Sequence, residues 1–577
     1  MNRNVESHFS ELPSIDIERS IFDHSHTHKT SWNCAELIPF YIDEVLPGDT
    51  FNVSTSFVAR LQTLLNPIMD NVYLDYYYFF VRAQNTWTHW KEFMGENNDS
   101  AWIPQNEYSV PKINSPENGW STGTIADYFG IPVGVEFSTA DGSDKLAPIA
   151  LPFRAYAQIC QEWFRDQNLS DPLNIPLGDS NQTGSNGSSY INDVANGGKP
   201  FLVAKYHDYF TSCLPSPQKG NAVSFGANPI ASISGNLPVY TKSDNIPEAY
   251  LKDNHYLNIV NGVNGNTYTT NKGLGTYYLS GDDAHSVMNR YGSTTSNPDD
   301  GYPIPANLWT DLSGATLSVS GVSFTINELR LAFQLQKFYE KWSRAGSRYR
   351  ETLRYMFGCT PEDQMIYIPE YLGGHRVPIQ IHQIVNQASS SGEYLGDVGA
   401  MSNTASVEDD FIKSFSCHGW IIGVACVRYD HSYPQGLSKL WTHDDRFSYY
   451  FPVFANIGEQ PVYTYEIDAT QYAGKNRTDV FGYQEAWASP YRYSPDRVSG
   501  EMRPGISNSL ASWHLSDYYQ AQPELSDSWI REDKTNIDRV LAVTSSVSNQ
   551  IFADFYIKAT VTRAMPMYSI PGLIDHH

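Results

Sequence analysis

The 577-residue sequence has no hydrophobic run long enough to cross a bilayer. Its longest apolar stretch, residues 419–427, is about half of the roughly 20 residues that a spanning helix needs. The first residues show no apolar core of a secretory signal. The six cysteines are scattered and form no C-x-x-C pair, which is typical of reduced thiols in a protein made in a cytosol. We therefore expect no membrane insertion and no disulfide framework.

Signatures of known catalytic and nucleotide-binding sites are also absent from the sequence. It contains no G-x-x-x-x-G-K-[ST] phosphate loop, G-x-S-x-G elbow, H-E-x-x-H, G-x-G-x-x-G or EF-hand loop. Aspartate and glutamate are plentiful, so some pair would reach the separation of glycosidase carboxylates by chance. We predict no catalytic residue, no cofactor and no enzyme activity.

Charged residues are scarce, and their balance is negative. Lys and Arg number 39 against 63 Asp and Glu, so the net charge is −24, and charged residues are only 18% of the chain. Such a chain cannot wrap nucleic acid by bulk charge, so any contact with nucleic acid must be local.

Aromatic residues are abundant instead, at 14%. Tyrosine and tryptophan are enriched in protein interfaces, and they also line sugar-binding clefts. The low charge density favours interfaces, and within the tyrosine-rich run at 71–82 we name Tyr76, Tyr77 and Tyr78 as candidate subunit-interface residues.

Strand patterns dominate the chain. Residues 51–61 alternate apolar and polar positions, and so do residues 555–562. The runs at 71–82 and 418–429 are nearly continuous in apolar and aromatic residues, which is typical of strands buried on both faces. Many strands with long connections predict a mainly β protein built as an antiparallel barrel or sandwich.

Two helices interrupt this pattern, at 151–169 and from the capping box Thr325-Ile-Asn-Glu328 to Gly346. The second helix carries a basic face that continues past Gly346 among aromatic residues. Guanidinium groups suit phosphate, and aromatic rings stack on unpaired bases. The candidate DNA-contact residues are Lys337, Lys341, Arg344, Arg348 and Arg350. Salt bridges to carboxylates such as Glu340 and Glu351 are the alternative interpretation.

Three histidines alternate at His24, His26 and His28, so an extended segment would place them on one face. Three imidazoles could hold a zinc or copper ion. No fourth ligand is evident, and we prefer a polar extended segment at a subunit contact. No metal site is predicted.

Residues 219–320 differ from the flanking sequence in being rich in Asn, Gly, Ser and Thr. They still contain tyrosines such as Tyr240 and Tyr268, which is too aromatic for a solvated linker. We interpret the stretch as a compact, turn-rich insertion.

Several motifs in order along the chain carry a family resemblance. They include Glu36-Leu-Ile-Pro-Phe-Tyr-Ile-Asp-Glu-Val-Leu-Pro-Gly-Asp-Thr-Phe51, His24-Ser-His-Thr-His-Lys29, Tyr206-His-Asp-Tyr-Phe-Thr-Ser-Cys-Leu-Pro215, Pro369-Glu-Tyr-Leu-Gly-Gly374 and Trp513-His-Leu515. Together they resemble the major capsid protein of microviruses, the small tailless single-stranded-DNA phages, and specifically the gokushovirus branch.

The resemblance implies an eight-stranded antiparallel jelly-roll barrel with long loop insertions and a few helices. Its expected parts are an N-terminal arm at 1–50 that clasps neighbours, core at 51–218, a surface protrusion at 219–320 and further core at 321–577. The last strand would neighbour the first barrel strand in one sheet.

The resemblance also implies a function and partners. The chain would self-assemble into a T=1 icosahedral shell that encloses single-stranded DNA, with 219–320 as the host-attachment protrusion. Partners would be further copies of itself, a small basic DNA-packaging protein, scaffolding and pilot proteins, and a host cell-surface receptor. The protein would reside in the virion after assembly in the bacterial cytoplasm. The alternative is a β-rich carbohydrate-binding or glycoside-hydrolysing protein.

Overall fold

The structure is a computed structural model, and it describes two compact units. Fully described are residues 18–97, 106–138, 146–221, 223, 326–360, 366–387, 395–470, 479–494 and 496–568, and seven short strands between 231 and 319 are described as backbone. One unit comprises Met1–Asn221 with Lys337–His577, and the other comprises Ala222–Gln336.

The first main sheet is antiparallel and contains the first predicted barrel strand beside the last. Strand Thr50–Leu61 buries Phe51, Val53 and Phe57, as its alternation predicts, while the intervening residues face outward. It pairs along its length with Ile551–Arg563, which confirms the predicted neighbourhood of the two strands. The sheet is completed by Thr404–Ser414 on one side and by Ser20–Asp23 and His26–Trp32 on the other.

The second main sheet is also antiparallel, and its central strands Val72–Arg82 and Gly419–Tyr429 are buried on both faces. Its order is Glu370–Pro378, Val72–Arg82, Gly419–Tyr429, Glu36–Val45 and Phe201–Leu202. In Val72–Arg82, Tyr76 and Tyr78 belong to the core shared with the first sheet, whereas Phe79 and Val81 belong to the core on the opposite face. The prediction of a doubly buried strand at 71–82 is therefore confirmed.

Side chains from the two sheets meet in one core. The ring centroids of Phe40 and Phe555 lie 4.6 Å apart, and Thr55 Oγ1 and Tyr78 OH form a hydrogen bond of 2.7 Å across the sheets. Packed antiparallel sheets of this kind are the architecture of a jelly roll. Each sheet has five strands, and no ladder joins the two sheets among the described strands, so they form a sandwich. The predicted mainly β, antiparallel jelly-roll architecture is confirmed, and its two sheets contain ten strands where the resemblance implied eight.

The described part of the segment expected to be an N-terminal arm lies in these sheets. Residues 20–45 form strands Ser20–Asp23, His26–Trp32 and Glu36–Val45, and the first two pair with Ile551–Arg563 of the same chain. The polar alternation of His26–Trp32 fits an edge strand, where charged and polar side chains are usual. Residues 20–45 thus contribute strands to the sandwich of their own chain. The arm at 1–50 that clasps neighbours stays a prediction, and residues 1–17 lie outside the described residues.

A helix covers the outer face of the second sheet. Leu151–Ile159 continues as a π-helical turn, Cys160–Phe164, so the predicted helix at 151–169 ends earlier than expected. Phe153, Tyr156 and Cys160 of its apolar stripe are buried. The buried Arg154 of this helix donates to Gln182 Oε1 at 2.7 Å and to Thr86 O at 3.1 Å. Burial lowers the pKa of Arg154 to about 10.

A third, smaller core encloses a cluster of charges. His431 Nδ1 lies 2.8 Å from Asp517 Oδ1, and His431 Nε2 lies 2.9 Å from Glu532 Oε1. Lys205 Nζ lies 3.1 Å from Asp517 Oδ2. Burial opposes the charged imidazole, but Glu532 and Asp517 raise the pKa of His431 to about 10. Four segments that are distant in sequence are therefore joined by buried ion pairs.

The remaining elements are short. Additional strand pairs are Ile113–Asn114 with Gln182–Thr183, Ile381–Val385 with Val398–Ser402, and Glu459–Tyr463 with Val480–Glu485. Single helical turns are Ala83–Thr86, Trp90–Phe93, Ile125–Tyr128, Val194–Asn196, Lys439–Trp441, Arg446–Ser448, Pro452–Phe454, Thr464–Ile467, Gly500–Met502, Ala511–Trp513, Asp527–Ile530 and Thr535–Val540. Of the helices that the structure describes, none combines the length and apolarity of a membrane crossing.

The unit Ala222–Gln336 contains short antiparallel strands. Ala231–Ser234 pairs with Thr316–Val319, Val239–Thr241 pairs with Leu308–Thr310, and Asn258–Asn261 lies between Thr267–Thr269 and Pro303–Pro305. The rest of the predicted insertion at 219–320, apart from its first residues, lies outside the described residues. Its boundaries stay a prediction.

Candidate nucleic-acid interface

The basic residues predicted from the sequence lie on two consecutive helices, Ile326–Ala345 and Tyr349–Phe357. Thr325 of the predicted capping box lies outside the described residues. Lys337 and Lys341 are exposed. Lys341 Nζ lies 5.4 Å from the ring centroid of Tyr355, within the range of a cation–π contact.

Two of the five candidates are held in salt bridges. Arg344 Nε bonds to Glu459 Oε1, and Arg344 Nη1 lies 3.8 Å from Glu485 Oε1. Burial alone would lower the pKa of Arg344, but the hydrogen bond and charge of Glu459 raise it. Arg348 pairs with Glu162 at 2.9 Å and with Glu351 at 3.5 Å. For Arg344 and Arg348 the structure matches the alternative interpretation of salt bridging.

Arg350 lies beside the exposed ring of Trp163. Its guanidinium carbon is 5.8 Å from the ring centroid of Trp163 at the end of the π-helical turn. Trp163 is 42% exposed, and its indole nitrogen donates to Pro369 O at 2.9 Å. A fixed, half-exposed indole beside a guanidinium is a surface on which an unpaired base can stack.

A cleft of about 1070 Å³ opens between the end of the long helix, the π-helical turn and the second sheet. Its aromatic lining consists of Tyr77, Phe79, Trp163, Phe164, Tyr206 and Tyr371. Its cationic lining consists of Arg165, Lys205, Arg344, Arg376 and Arg428, and its carboxylates are Asp166, Glu351 and Asp430. The cleft therefore combines aromatic rings with five cationic side chains, in a chain whose net charge is −24.

Two arginines of the cleft share one buried carboxylate and one tyrosine ring. Arg376 Nε bonds to Asp75 Oδ1 at 3.0 Å, and Arg428 Nη2 bonds to Asp75 Oδ2. The two guanidinium carbons lie 4.1 and 4.3 Å from the ring centroid of Tyr206, whose hydroxyl donates to Asp75 Oδ2 at 2.8 Å. We call these four residues the Asp75 cluster.

The Asp75 cluster keeps a positive charge at the cleft. Burial opposes the charge of Arg376, but Asp75 raises the pKa of that guanidinium above its ordinary value. The Arg376 side chain is 49% exposed, whereas Asp75 is fully buried. Asp430 also lines the cleft and interacts with Arg376, so part of the positive charge is offset. The exposed half of the Arg376 side chain faces solvent, where a phosphate can approach.

Arg165 adds an unsatisfied donor to the same cleft. Its Nη1 donates to Ser170 O at 2.7 Å, but Nε is buried and has no hydrogen-bond partner among the described atoms. Burial and the nearby Arg348 lower the pKa of Arg165. An anionic ligand in the cleft would relieve both effects.

Sequence reasoning missed Arg376, Arg428 and Asp75, because they lie on three different strands that only the fold brings together. A signal was present in the second sheet. Asp75 and Arg428 are charged residues within nearly continuous apolar runs, and charges in buried strands require partners. Nothing in the sequence indicates that these two partner each other.

The three candidate histidines lie beside the strand Glu36–Val45 of their own chain. His24 Nδ1 is 2.7 Å from Asp43 Oδ2, and the His26 ring stacks on Tyr41 with centroids 5.6 Å apart. His28 is half-buried, and burial together with the charge of His26 lowers its pKa. Among the described residues, no group of three His, Cys, Asp or Glu side chains is arranged to hold a metal ion. A subunit contact at these histidines stays a prediction.

The three candidate tyrosines divide between the two faces of their strand. Tyr76 and Tyr78 have no exposed surface and pack in the core between the sheets, where a neighbouring subunit does not reach them. This corrects their assignment to a subunit interface: a strand covered on both faces buries its tyrosines inside the chain. Tyr77 lines the cleft.

The similarity of this chain to known proteins extends over nearly its whole length. Residues 10–573 match the family Phage_F, described as "Capsid protein (F protein)". The chain is 38% identical over 578 residues to "Capsid protein VP1" of Spiroplasma virus 4, covering 98% of this chain and 97% of that protein. It is 35% identical over 608 residues to "Capsid protein VP1" of Chlamydia phage 1, covering 99% and 98%. Its identity to "Capsid protein VP1" of Bdellovibrio phage phiMH2K is 34% over 578 residues, covering 99% and 98%. The resemblance inferred from the motifs is confirmed.

Proposed function

The chain belongs to the phage capsid protein (F protein) family, and from this premise we propose that it self-assembles into a T=1 icosahedral shell around single-stranded DNA. As a phage capsid protein it is a structural component of the virion. The observation that carries the proposal is the match over residues 10–573 to proteins named as capsid proteins. The sandwich of two antiparallel sheets agrees with it, because viral capsids commonly use jelly rolls.

Contacts between this chain and the packaged strand are few and local in our proposal. The cleft supports this interpretation, since it places exposed aromatic rings beside the half-exposed guanidinium of Arg376. Arg350 with Trp163, and the exposed Lys337 and Lys341, extend the same surface along the helices. Stacking and isolated phosphate contacts of this kind bind single strands without reading their sequence.

Most of the DNA charge is neutralised by another component. A shell of chains at −24 each would repel a packaged strand. A small basic DNA-packaging protein would supply the missing positive charge, and scaffolding and pilot proteins would act during assembly. The chain itself would have no catalytic turnover.

The insertion at 219–320 is the proposed host-attachment protrusion. Its Asn, Gly, Ser and Thr content suits exposed loops, which tolerate sequence change and carry recognition. A host cell-surface receptor would be its partner.

Nuclease protection of the purified particle tests enclosure of the genome. We expect the nucleic acid to resist nuclease while the particle is intact and to be digested by a single-strand-specific nuclease after the shell is opened. Particles without nucleic acid, or with nucleic acid cut only by a duplex-specific nuclease, would contradict the proposal.

A further inference from the structure

One segment on the surface concentrates exposed apolar side chains. In residues 437–457, which we call the aromatic segment, nine large apolar side chains are between 41% and 81% exposed. They are Leu437, Leu440, Trp441, Phe447, Tyr449, Tyr450, Phe451, Val453 and Ile457. Monomeric soluble proteins rarely leave a patch of this size uncovered.

The aromatic segment is held in one conformation. The side chain of Asp445 accepts hydrogen bonds from the backbone nitrogens of Phe447 and Ser448, at 2.9 and 2.7 Å. The Trp487 indole donates to Phe454 O at 2.8 Å, and Tyr450 N donates to Tyr491 OH at 3.2 Å. A surface ordered in advance loses little conformational entropy when it binds.

Ring contacts link several side chains of the patch, and a recess opens among them. His443 stacks on Tyr449 with centroids 4.2 Å apart, and Tyr450 lies 5.9 Å from Tyr491. A cavity of about 360 Å³ opens between Phe447, Trp487 and neighbouring rings. Interfaces place their strongest contacts where a side chain of one partner fills such a recess of the other.

From these features we propose that the aromatic segment is a subunit–subunit interface whose partner is a second copy of this chain. The inference rests on the proposed shell, in which identical copies meet at every contact. The five aromatic side chains, at roughly 150–250 Å² each and about half exposure, leave on the order of 500 Å² of surface, and the four aliphatic side chains add to it. A standard interface takes about 800 Å² from each partner.

Charge also favours a second copy over nucleic acid. Lys439 Nζ is 3.3 Å from Glu466 Oε1, and the guanidinium of Arg446 lies over its neighbour Phe447 at 4.8 Å. Asp444 and Asp445 are the remaining charged residues of the segment. The two cations and two anions of the segment cancel. An aromatic surface without net charge is compatible with a protein interface, whereas a strand of phosphates requires cations.

A matched pair of substitutions tests the interface. Val453 and Val547 are 81% and 79% exposed, and only Val453 lies in the aromatic segment. In cells producing all virion proteins, we expect V453D to reduce the yield of sedimenting particles at least tenfold and V547D to change it less than twofold. The thermal unfolding midpoint of each purified chain should equal that of the wild type.

The results of these substitutions distinguish the interface proposal from the proposed capsid function. Wild-type yield from V453D, or equal loss from V547D, would overturn the interface while leaving the shell intact. Absence of particles from the unaltered chain would contradict the proposed function itself.

A photo-reactive benzoylphenylalanine in place of Trp441 provides a second test of the interface. It should give an adduct of about twice the 65.0 kDa chain mass in particles, and an adduct only with DNA or another polypeptide would overturn the interface.

Discussion

Two arginine-bearing regions of this protein use their charge differently. On the helices, Arg344 and Arg348 each contact two carboxylates, so their charge is compensated within the chain. In the cleft, Arg376 and Arg428 share the single carboxylate of Asp75 and stack on the ring of Tyr206. Arginine spacing along a helix therefore identifies a basic face in sequence, but the partners across the fold decide whether charge remains for a ligand.

A third charged region, the fully buried cluster of His431, Asp517 and Glu532, extends the comparison. A substitution there should cause the largest loss of stability. Replacing His431 with Gln leaves Asp517 and Glu532 facing each other without their shared cation, and we expect a loss of about 4 kcal/mol in the free energy of unfolding at pH 6. Urea unfolding measures this loss. The exposed His382, replaced in the same way, should leave stability unchanged.

The same cluster predicts a dependence on pH. The pKa of His431 rises from 6.5 to about 10 on folding, so its contribution is complete below about pH 6.5 and disappears as the pH approaches 10. The stability difference between wild type and His431→Gln should therefore narrow as the pH rises from 7 to 10. A difference that stays constant over this range would show that His431 is uncharged in the folded protein.

The Asp75 cluster should show the next largest effect. Asp75→Asn removes the buried anion between two guanidinium groups, and we expect a loss of about 3 kcal/mol in the free energy of unfolding. The matched change on the helical side is Glu485→Gln. Glu485 is 39% exposed and contacts Arg344 and Arg492, so the loss should stay below about 1 kcal/mol. Equal losses of unfolding free energy from Asp75→Asn and Glu485→Gln would contradict the distinction between the cleft and the helices.

Binding of a single-stranded oligonucleotide should separate the regions by a smaller margin. We expect Arg376→Ala to weaken binding roughly fivefold and to reduce the salt slope by about 0.7, the value for one phosphate contact of a single strand. Arg344→Ala should weaken binding less than twofold, because Glu459 already engages that guanidinium. Fluorescence anisotropy at several salt concentrations gives both quantities. A larger effect at Arg344 would place the contact on the helices instead.

The affinity of the wild-type chain for a single-stranded oligonucleotide should depend only weakly on salt concentration. A few local contacts correspond to a slope of about −2 or flatter in a plot of log affinity against log salt. A steep slope would contradict local binding and would require many lysine and arginine contacts with phosphate.

Local patterns predicted the strands well, because alternation and apolar runs directly report which faces are buried. Thr50–Leu61, Val72–Arg82 and Gly419–Tyr429 were predicted within about two residues. The strand His26–Trp32 was predicted only as a polar extended segment, and its place in the sheet was not predicted, because this edge strand carries no apolar alternation. The Asp75 cluster could not be predicted, because its residues are spread between positions 75 and 428. Asp75, Arg376 and Arg428 meet only through strand pairing, and Tyr206 reaches them from outside the strands.

The mass of the natively produced assembly, measured by light scattering with its absorbance ratio at 260 and 280 nm, tests the proposed shell most directly. About sixty copies of the 65.0 kDa chain predict a protein mass on the order of 4 MDa, with excess absorbance at 260 nm from the enclosed DNA. A species near 65.0 kDa, or a small multiple of it without nucleic acid, would contradict the account.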